Sequence, residues 1–117
     1  MNLVELLFGK PVSTINAAEL NDRLKNGKRP VVLDVRQPDE YRSGHIAGAK
    51  LIPLNRLGSR LKELPQNREI VCVCASGNRS GSATRMLVQA GLNAVNMKGG
   101  MLSWRRANFP VKKGDGA

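Results

Sequence analysis

The residues best suited to chemistry lie between positions 70 and 80, where an apolar run ends in a cysteine and a loop of small residues. Residues 70–73 read Ile-Val-Cys-Val, which is typical of a strand covered on both faces of a parallel sheet. Cys74 is therefore predicted to lie at the carboxyl edge of that sheet, where open α/β folds bind ligands. Residues 75–78 read Ala-Ser-Gly-Asn, and their N–H groups can converge on one point as a cradle for an anion.

A helix that begins at Arg79 or Ser80 would make this cysteine a nucleophile. From this start, apolar residues recur at spacings of three and four, and Gly91 follows as a C-cap. The unpaired N–H groups at its start would face Cys74, and such surroundings lower a thiol pKa from about 8.5 to roughly 3.5–7.5. Cys72, two residues earlier in the strand, is predicted to be inert. The alternative for Cys74 is a small buried apolar residue, but such a residue does not need this loop after it.

Strand and helix patterns alternate along the rest of the chain. Strands are predicted at 12–15, 31–35, 50–53, 70–73 and 94–97, and helices at 16–26, 38–44, 55–65, 79–91 and 101–107. The alternation predicts a single-domain α/β fold, with a mainly parallel central sheet of about five strands and helices on both faces. The domain is expected to span 1–117, with its core at about 12–110, a short N-terminal arm at 1–11 and a flexible C-terminal tail at 111–117.

The charge balance is strongly basic, with 19 Lys and Arg against 9 Asp and Glu and a net charge of +10. Two explanations stay open, a solvated basic surface and the steering of a small anion or an acidic protein. Nucleic acid is disfavoured as a partner, because the basic residues are scattered, aromatic residues are few and no nucleic-acid motif occurs.

The cysteine content and the apolar patterning indicate where the protein works. Two cysteines separated by one residue make a poor disulfide pair, which favours a reducing compartment. The first ten residues lack the pattern of a signal peptide, and no apolar run approaches the length of a membrane span. We therefore expect a cytoplasmic, soluble protein with no membrane partner, as a monomer or weak dimer.

Several short motifs, in this order, resemble single-domain members of the rhodanese family of sulfurtransferases from about Val12 to Pro110. They are Leu-Asp-Val-Arg at 33–36, Glu-Tyr at 40–41, Gly-His-Ile-Ala-Gly-Ala at 44–49, Ile-Pro at 52–53, Cys-Ala-Ser-Gly-Asn-Arg-Ser at 74–80, and Gly-Gly at 99–100 before Trp104. The resemblance implies that Cys74 takes a sulfane sulfur from a small anionic donor such as thiosulfate. It would carry that sulfur as a persulfide and pass it to cyanide or to a thiol acceptor, glutathione-like or thioredoxin-like.

The surrounding motif residues are expected to bind substrate or to support the loop. The backbone of Ala75, Ser76, Gly77, Asn78 and Arg79 is assigned to substrate binding, and Asp34, Arg36, Glu40 and Ser80 are assigned supporting roles. Arg79 either contacts the donor or ties the loop to a carboxylate. Asp34 either accepts loop N–H groups or pairs with an arginine, and Arg36 is expected to pair with Glu40.

Other chemistries are less well supported by the sequence. His45 is expected to be structural, since the reaction needs no base once Cys74 is ionised. One histidine and two cysteines offer no four-ligand metal set, and no cofactor is expected. A cysteine phosphatase or arsenate reductase would place five residues between Cys and Arg, whereas four separate Cys74 from Arg79. A non-catalytic rhodanese-like binding module would be expected to have lost the cysteine.

Overall fold

Five parallel strands form one sheet in a computed structural model that describes residues 2–8, 11–27 and 29–117. The strands are β1 (Thr14–Ile15), β2 (Val31–Asp34), β3 (Lys50–Leu51), β4 (Ile70–Val73) and β5 (Ala94–Met97). The helices are α1 (Leu3–Phe8), α2 (Ala17–Lys25), α3 (Pro38–Ser43), α4 (Leu54–Leu57), α5 (Asn78–Gln89) and α6 (Gly100–Arg106), and a 3-10 turn covers Leu61–Glu63. The α/β fold predicted from the alternating patterns is confirmed.

The strand order is β1-β5-β4-β2-β3, so the strand that leads to the cysteine is the central one. Cys72 of β4 is in register with Leu33 on one side and with Asn96 on the other. All pairings are parallel, and the carboxyl ends of β2, β4 and β5 therefore meet at one edge. Residues that follow these strands are brought together there.

The two faces of the sheet pack against different helices. Side chains alternate along β4, so that Val71 and Val73 belong to one core cluster while Ile70 and Cys72 belong to the other. The first cluster includes Leu20 of α2, Tyr41 of α3, and Met101 and Trp104 of α6. The second includes Leu57 of α4, and Ala83 and Leu87 of α5. Helices thus cover both faces, as the uninterrupted apolar strands predicted.

The prediction of a single helix over 55–65 is wrong. Its leucine stripe is divided between α4 and the 3-10 turn, and Pro53 rather than Asn55 occupies the N-cap position. Gly58 follows α4, and glycine weakens a helix because it has the most backbone freedom to lose. Leu57 and Leu64 nonetheless reach the same core cluster, so the apolar spacing identified the buried face but not the backbone that presents it.

The two ends of the chain differ in their contacts. In α1, the side chains of Leu3, Val4, Leu6 and Leu7 are exposed. At the other end, Lys112 and His45 exchange backbone hydrogen bonds of 2.8 and 2.9 Å. The flexibility expected for 111–117 stays a prediction. Within the described ranges, no helix reaches the length and apolarity of a membrane span.

Candidate active site

The sulfur of Cys74 lies inside a ring of hydrogen-bond donors. Cys74 follows β4 directly and is 0% exposed. The Gly77 N–H donates to Sγ over 3.1 Å, and the Ser80 hydroxyl donates over 3.2 Å. Backbone N–H groups of Ser76 and Ser80 also act on the sulfur. The loop therefore forms a cradle around one sulfur atom, as its small residues predicted.

The backbone of Gly77 makes this cradle possible. Gly77 has a φ of +103°, a left-handed conformation that glycine adopts readily, and it is the N-cap of α5. A Cβ at this position would also lie 3.3 Å from the backbone nitrogen of Gly99. α5 starts at Asn78, before the predicted start at Arg79 or Ser80, so the positive end of this helix lies beside the sulfur.

The two cysteines are set up for opposite behaviour. Burial opposes ionisation of Cys74, but hydrogen bonds from Ser80, Gly77 and Ser76 outweigh it and lower the pKa of this thiol. Cys72 is also 0% exposed, and burial raises its pKa to about 11 against a weaker opposing hydrogen bond from Thr84. The thiolate, which is the nucleophile, is therefore favoured at Cys74 alone.

Replacing Cys72 with valine is expected to leave sulfur transfer within about twofold of the native rate, because a protonated core thiol takes no part in nucleophilic chemistry. Valine keeps the apolar volume of the site, and circular dichroism would confirm that the fold is retained. A folded Cys72→Val protein that had lost most of its activity would contradict the assignment and make Cys72 a second sulfur-handling group.

The start of α6 closes the cradle from the other side. The N–H groups of Met101 and Leu102 donate to the carbonyl oxygens of Cys74 and Ala75 over 2.8 and 3.0 Å. Gly100 has a φ of +58°, and a Cβ there would collide with the Cys74 carbonyl oxygen and lie 2.6 Å from the carbonyl carbon of Ala75. The Gly99-Gly100 pair noted in the sequence thus lets this helix approach the cysteine loop.

A buried ion pair fixes the exit of β2 next to the cradle. Arg36 Nη2 donates to Asp34 Oδ2 over 2.7 Å, and Arg36 Nε donates to Asp34 Oδ1 over 2.9 Å. The remaining guanidinium donors reach the carbonyl oxygens of Glu40 and Gly44. Asp34 Oδ1 also accepts the backbone N–H of Arg36 over 3.1 Å, so both roles considered for Asp34, a loop N–H acceptor and an arginine partner, are present.

The predicted Arg36–Glu40 ion pair is wrong, because the two charges have different partners. Arg36 turns inward to Asp34, and only the backbone carbonyl of Glu40 contacts it. The Glu40 carboxylate instead accepts two hydrogen bonds from Arg79, of 2.7 and 2.8 Å. These bonds, against a smaller effect of burial, lower the pKa of Glu40 to about 2. Arg79 therefore ties the cysteine loop to α3, which is one of the two roles considered for it.

Asn96 is a site residue that the sequence analysis missed. It lies on β5, is 8% exposed, and its Nδ2 donates over 3.0 Å to the carbonyl oxygen of Gly77. Asn96 Oδ1 is buried and accepts no hydrogen bond from any residue that the structure describes. The side chain thus holds the residue whose N–H points at the sulfur. A polar residue in an otherwise apolar predicted strand was the available signal.

His45 lies away from the sulfur and is buried. Its ring stacks on Tyr41 at a centroid distance of 3.6 Å, and its nitrogens contact the carbonyl oxygens of Tyr41 and Gly116 over 2.8 and 2.7 Å. This position accords with the structural role expected for it. Among the described residues, no group of three potential ligands is placed to hold a metal ion.

Comparisons with known proteins agree with this geometry. The model of the rhodanese-like domain matches residues 16–107. A sulfurtransferase from Allochromatium vinosum is 33% identical over 106 residues, which cover 90% of this chain and 99% of that protein. The probable adenylyltransferase/sulfurtransferase MoeZ from Mycobacterium tuberculosis is 40% identical over 101 residues, which cover 84% of this chain but 26% of that protein. The crystal structure of a rhodanese-related protein from Thermoplasma volcanium superposes with a TM-score of 0.80 at 40% identity, covering 86% of this chain and 97% of that one.

Proposed function

Because the chain belongs to the rhodanese-like domain family, we propose that it is a sulfurtransferase in which Cys74 carries the transferred sulfur as a persulfide. The observation that supports this most strongly is the cradle itself, in which two donors lie 3.1 and 3.2 Å from the Cys74 sulfur. Ala75, Ser76, Gly77, Asn78 and Arg79 form its loop, and Asp34, Arg36, Glu40 and Ser80 support it.

In the first half-reaction, the Cys74 thiolate attacks the outer sulfur of a donor such as thiosulfate. A new S–S bond forms to Cys74, the S–S bond of the donor breaks, and sulfite leaves with the electron pair. Cys74 then bears a persulfide whose outer sulfur is anionic. The N–H and O–H groups that already lower the pKa of the Cys74 thiol would stabilise this anionic sulfur as well.

In the second half-reaction, a nucleophile removes the outer sulfur. An acceptor thiolate attacks it, the bond to the Cys74 sulfur breaks, and the Cys74 thiolate is restored with the electron pair. The acceptor leaves as a persulfide, or as thiocyanate when cyanide is the acceptor. No proton needs to be moved by a side chain, which agrees with the position of His45 away from the sulfur.

The intact mass of the protein tests both halves. Thiosulfate is expected to add the mass of one sulfur atom, and a later addition of thiol is expected to remove it, because the cradle surrounds a single sulfur. Cys72→Val serves as the control that should load equally. The proposal would be contradicted if the native protein gained no mass. It would also be contradicted if the unfolded protein gained as much mass as the native protein.

The phosphatase and arsenate reductase alternatives are tested by the same protein. Four residues between Cys74 and Arg79 form a smaller loop than those enzymes use, and Arg79 is already bound by Glu40. We expect no hydrolysis of p-nitrophenyl phosphate under conditions in which thiosulfate is turned over. Phosphatase activity without sulfur loading would favour the alternative, and neither activity would favour a binding module.

The setting that we propose follows from the same chemistry. A persulfide carrier needs reduced thiol acceptors, which the cytoplasm supplies. The net charge of +10 would attract a small anionic donor from solution. We propose a monomer or weak dimer that acts on such a donor and on a glutathione-like or thioredoxin-like thiol, without nucleic acid or membrane partners.

A further inference from the structure

A pocket of about 290 Å³ adjoins the cysteine loop and has no assigned role. Its lining includes Arg36 and Glu40, Ala75 of the loop, and Met101, Leu102 and Arg105 of α6. We call it the α6 pocket. Ala75 is the neighbour of Cys74 in the chain, so the pocket lies beside the residue that follows the reacting cysteine.

Only one charge that lines the α6 pocket lacks a partner of opposite sign among the described residues. Arg36 is paired with Asp34, and Glu40 is paired with Arg79. Arg105, in contrast, contacts the Gly44 carbonyl oxygen over 3.4 Å and no carboxylate in the described part of the chain. The pocket therefore presents a positive charge that is available to an anionic group.

The position of Arg105 is defined by the backbone beside it. A Cβ added to Gly44 would lie 2.6 Å from Arg105 Nη2, so the absence of a side chain at residue 44 lets the guanidinium lie against the loop. The carbonyl oxygen of Gly44 also accepts a hydrogen bond from the buried Arg36. Arg105, which is exposed, thus places its guanidinium at the pocket through one long contact with a fixed backbone carbonyl.

The other wall of the α6 pocket is apolar and rigidly joined to the active site. Leu102 is 51% exposed, so its side chain is accessible to a molecule in the pocket. The N–H groups of Met101 and Leu102 are bonded to the carbonyls of Cys74 and Ala75. A carbon chain that packs on this wall would be held at a fixed distance from the sulfur.

We propose that the α6 pocket binds the sulfur acceptor, and that this acceptor is a small thiol that carries a carboxylate. The carboxylate pairs with Arg105, the carbon chain packs on Leu102, and the thiolate attacks the outer sulfur of the Cys74 persulfide. The bond between the two sulfurs of the persulfide breaks, and the acceptor leaves as a carboxylated persulfide. This inference rests on the proposed sulfurtransferase function.

An acceptor fits this pocket better than the donor does. Thiosulfate is an inorganic dianion with no carbon chain, so it gains nothing from an exposed leucine, and the N–H groups around Cys74 already suit it. A carboxylated thiol uses both walls of the pocket. Arginine is also the side chain best matched to a carboxylate, which it can bind through two parallel hydrogen bonds.

The test separates the two half-reactions. Protein is first loaded with thiosulfate, and the rate of sulfur release is then measured against 3-mercaptopropionate and its neutral amide at increasing concentrations. In Arg105→Gln we expect the second-order rate constant for 3-mercaptopropionate to fall about 2- to 5-fold, the range for loss of an exposed charge pair. The rate constant for the amide, and the extent of loading, are expected to stay unchanged.

Three variants serve as controls. Arg106→Gln removes the next arginine along α6, which does not line the pocket, and is expected to behave as native protein. Arg105→Lys keeps the charge and is expected to recover part of the preference for the carboxylate. Leu102→Ser removes the apolar wall and is expected to slow both thiols, because the amide shares the carbon chain.

The outcomes distinguish this inference from the proposed function. Failure to load sulfur in the native protein would overturn the sulfurtransferase assignment itself. Normal loading with an equal loss for acid and amide in Arg105→Gln, or with no loss for either, would overturn the acceptor pocket and leave the sulfurtransferase intact. A loss in Arg105→Gln that appeared only with a thioredoxin-like protein acceptor would also overturn it, because the pocket would then be a protein-docking site.

Discussion

Cys74→Ser is expected to abolish sulfur transfer completely while the protein stays folded. A serine oxygen is a far weaker nucleophile than a thiolate at neutral pH and cannot carry a sulfane sulfur as a persulfide. The second thiol cannot replace it, since burial raises the pKa of Cys72 to about 11. Serine fits the site, because the Gly77 N–H and the Ser80 hydroxyl can bond its oxygen. The measurements are intact mass after thiosulfate and the formation of thiocyanate from cyanide.

The pH dependence of loading gives this prediction a second readout. The reacting form is the thiolate, and the hydrogen bonds to Cys74 lower its pKa below that of an ordinary thiol. The rate of loading should therefore stay constant below the pH at which free thiols lose reactivity. It should fall only as the pH drops through the lowered pKa of Cys74. Turnover in Cys74→Ser, or a rate that follows the titration of an ordinary thiol, would contradict the mechanism.

Asp34→Ala is expected to lower the free energy of unfolding by about 3–5 kcal/mol, because it leaves the buried Arg36 guanidinium without its counter-charge. Both side chains are buried, and three hydrogen bonds of 3.2 Å or less join their charged groups. The loss is a large part of the roughly 5–15 kcal/mol that stabilises a typical domain. Urea unfolding followed by circular dichroism measures it, and Asp34→Asn supplies a milder variant should alanine prevent folding.

A double variant separates the charge from the packing. In Asp34→Leu combined with Arg36→Met, no charge is left unpaired, so the protein is expected to be more stable than Asp34→Ala alone. Equal stabilities would mean that the Glu40 and Gly44 carbonyls, which lose their Arg36 donors in the double variant, cost as much as the unpaired charge does in Asp34→Ala. A change of less than about 1 kcal/mol in Asp34→Ala would show that this pair behaves like an exposed one.

The sequence predicted the sheet and the cysteine cradle well because both depend on local patterns. An unbroken apolar run, a loop of small residues and a helical apolar spacing each reflect a backbone preference that needs no distant partner. α5 starts one or two residues before the predicted Arg79 or Ser80, since the left-handed Gly77 already serves as its N-cap. The division of the 55–65 region into α4 and a 3-10 turn was not predicted, because the leucine spacing of a helix persists across Gly58.

The contacts that were missed join residues far apart in the chain. Glu40 was assigned to Arg36 because the two lie four positions apart, yet it pairs with Arg79, which lies 39 positions away. Asn96 reaches Gly77 only because β5 pairs with β4 in a register that sets Asn96 beside Cys72. Spacing along the chain indicates neighbours on one helix, whereas pairing across the sheet depends on the register of the strands.

The burial of Cys72 in the central strand also provides a measure of conformational opening. The chain has two cysteines, so in Cys74→Ser the thiol of Cys72 is the only one that an alkylating reagent can modify. Because Cys72 is buried beneath α4 and α5 on one face of the sheet, the reagent reaches it only when this part of the core opens. The labelling rate, relative to that of an unstructured peptide, then reports the equilibrium constant of this opening in the absence of denaturant. Cys74 is also buried but lies at the end of the strand, under its loop, so its labelling reports instead on the opening of that loop, and two thiols separated by one residue follow two distinct motions.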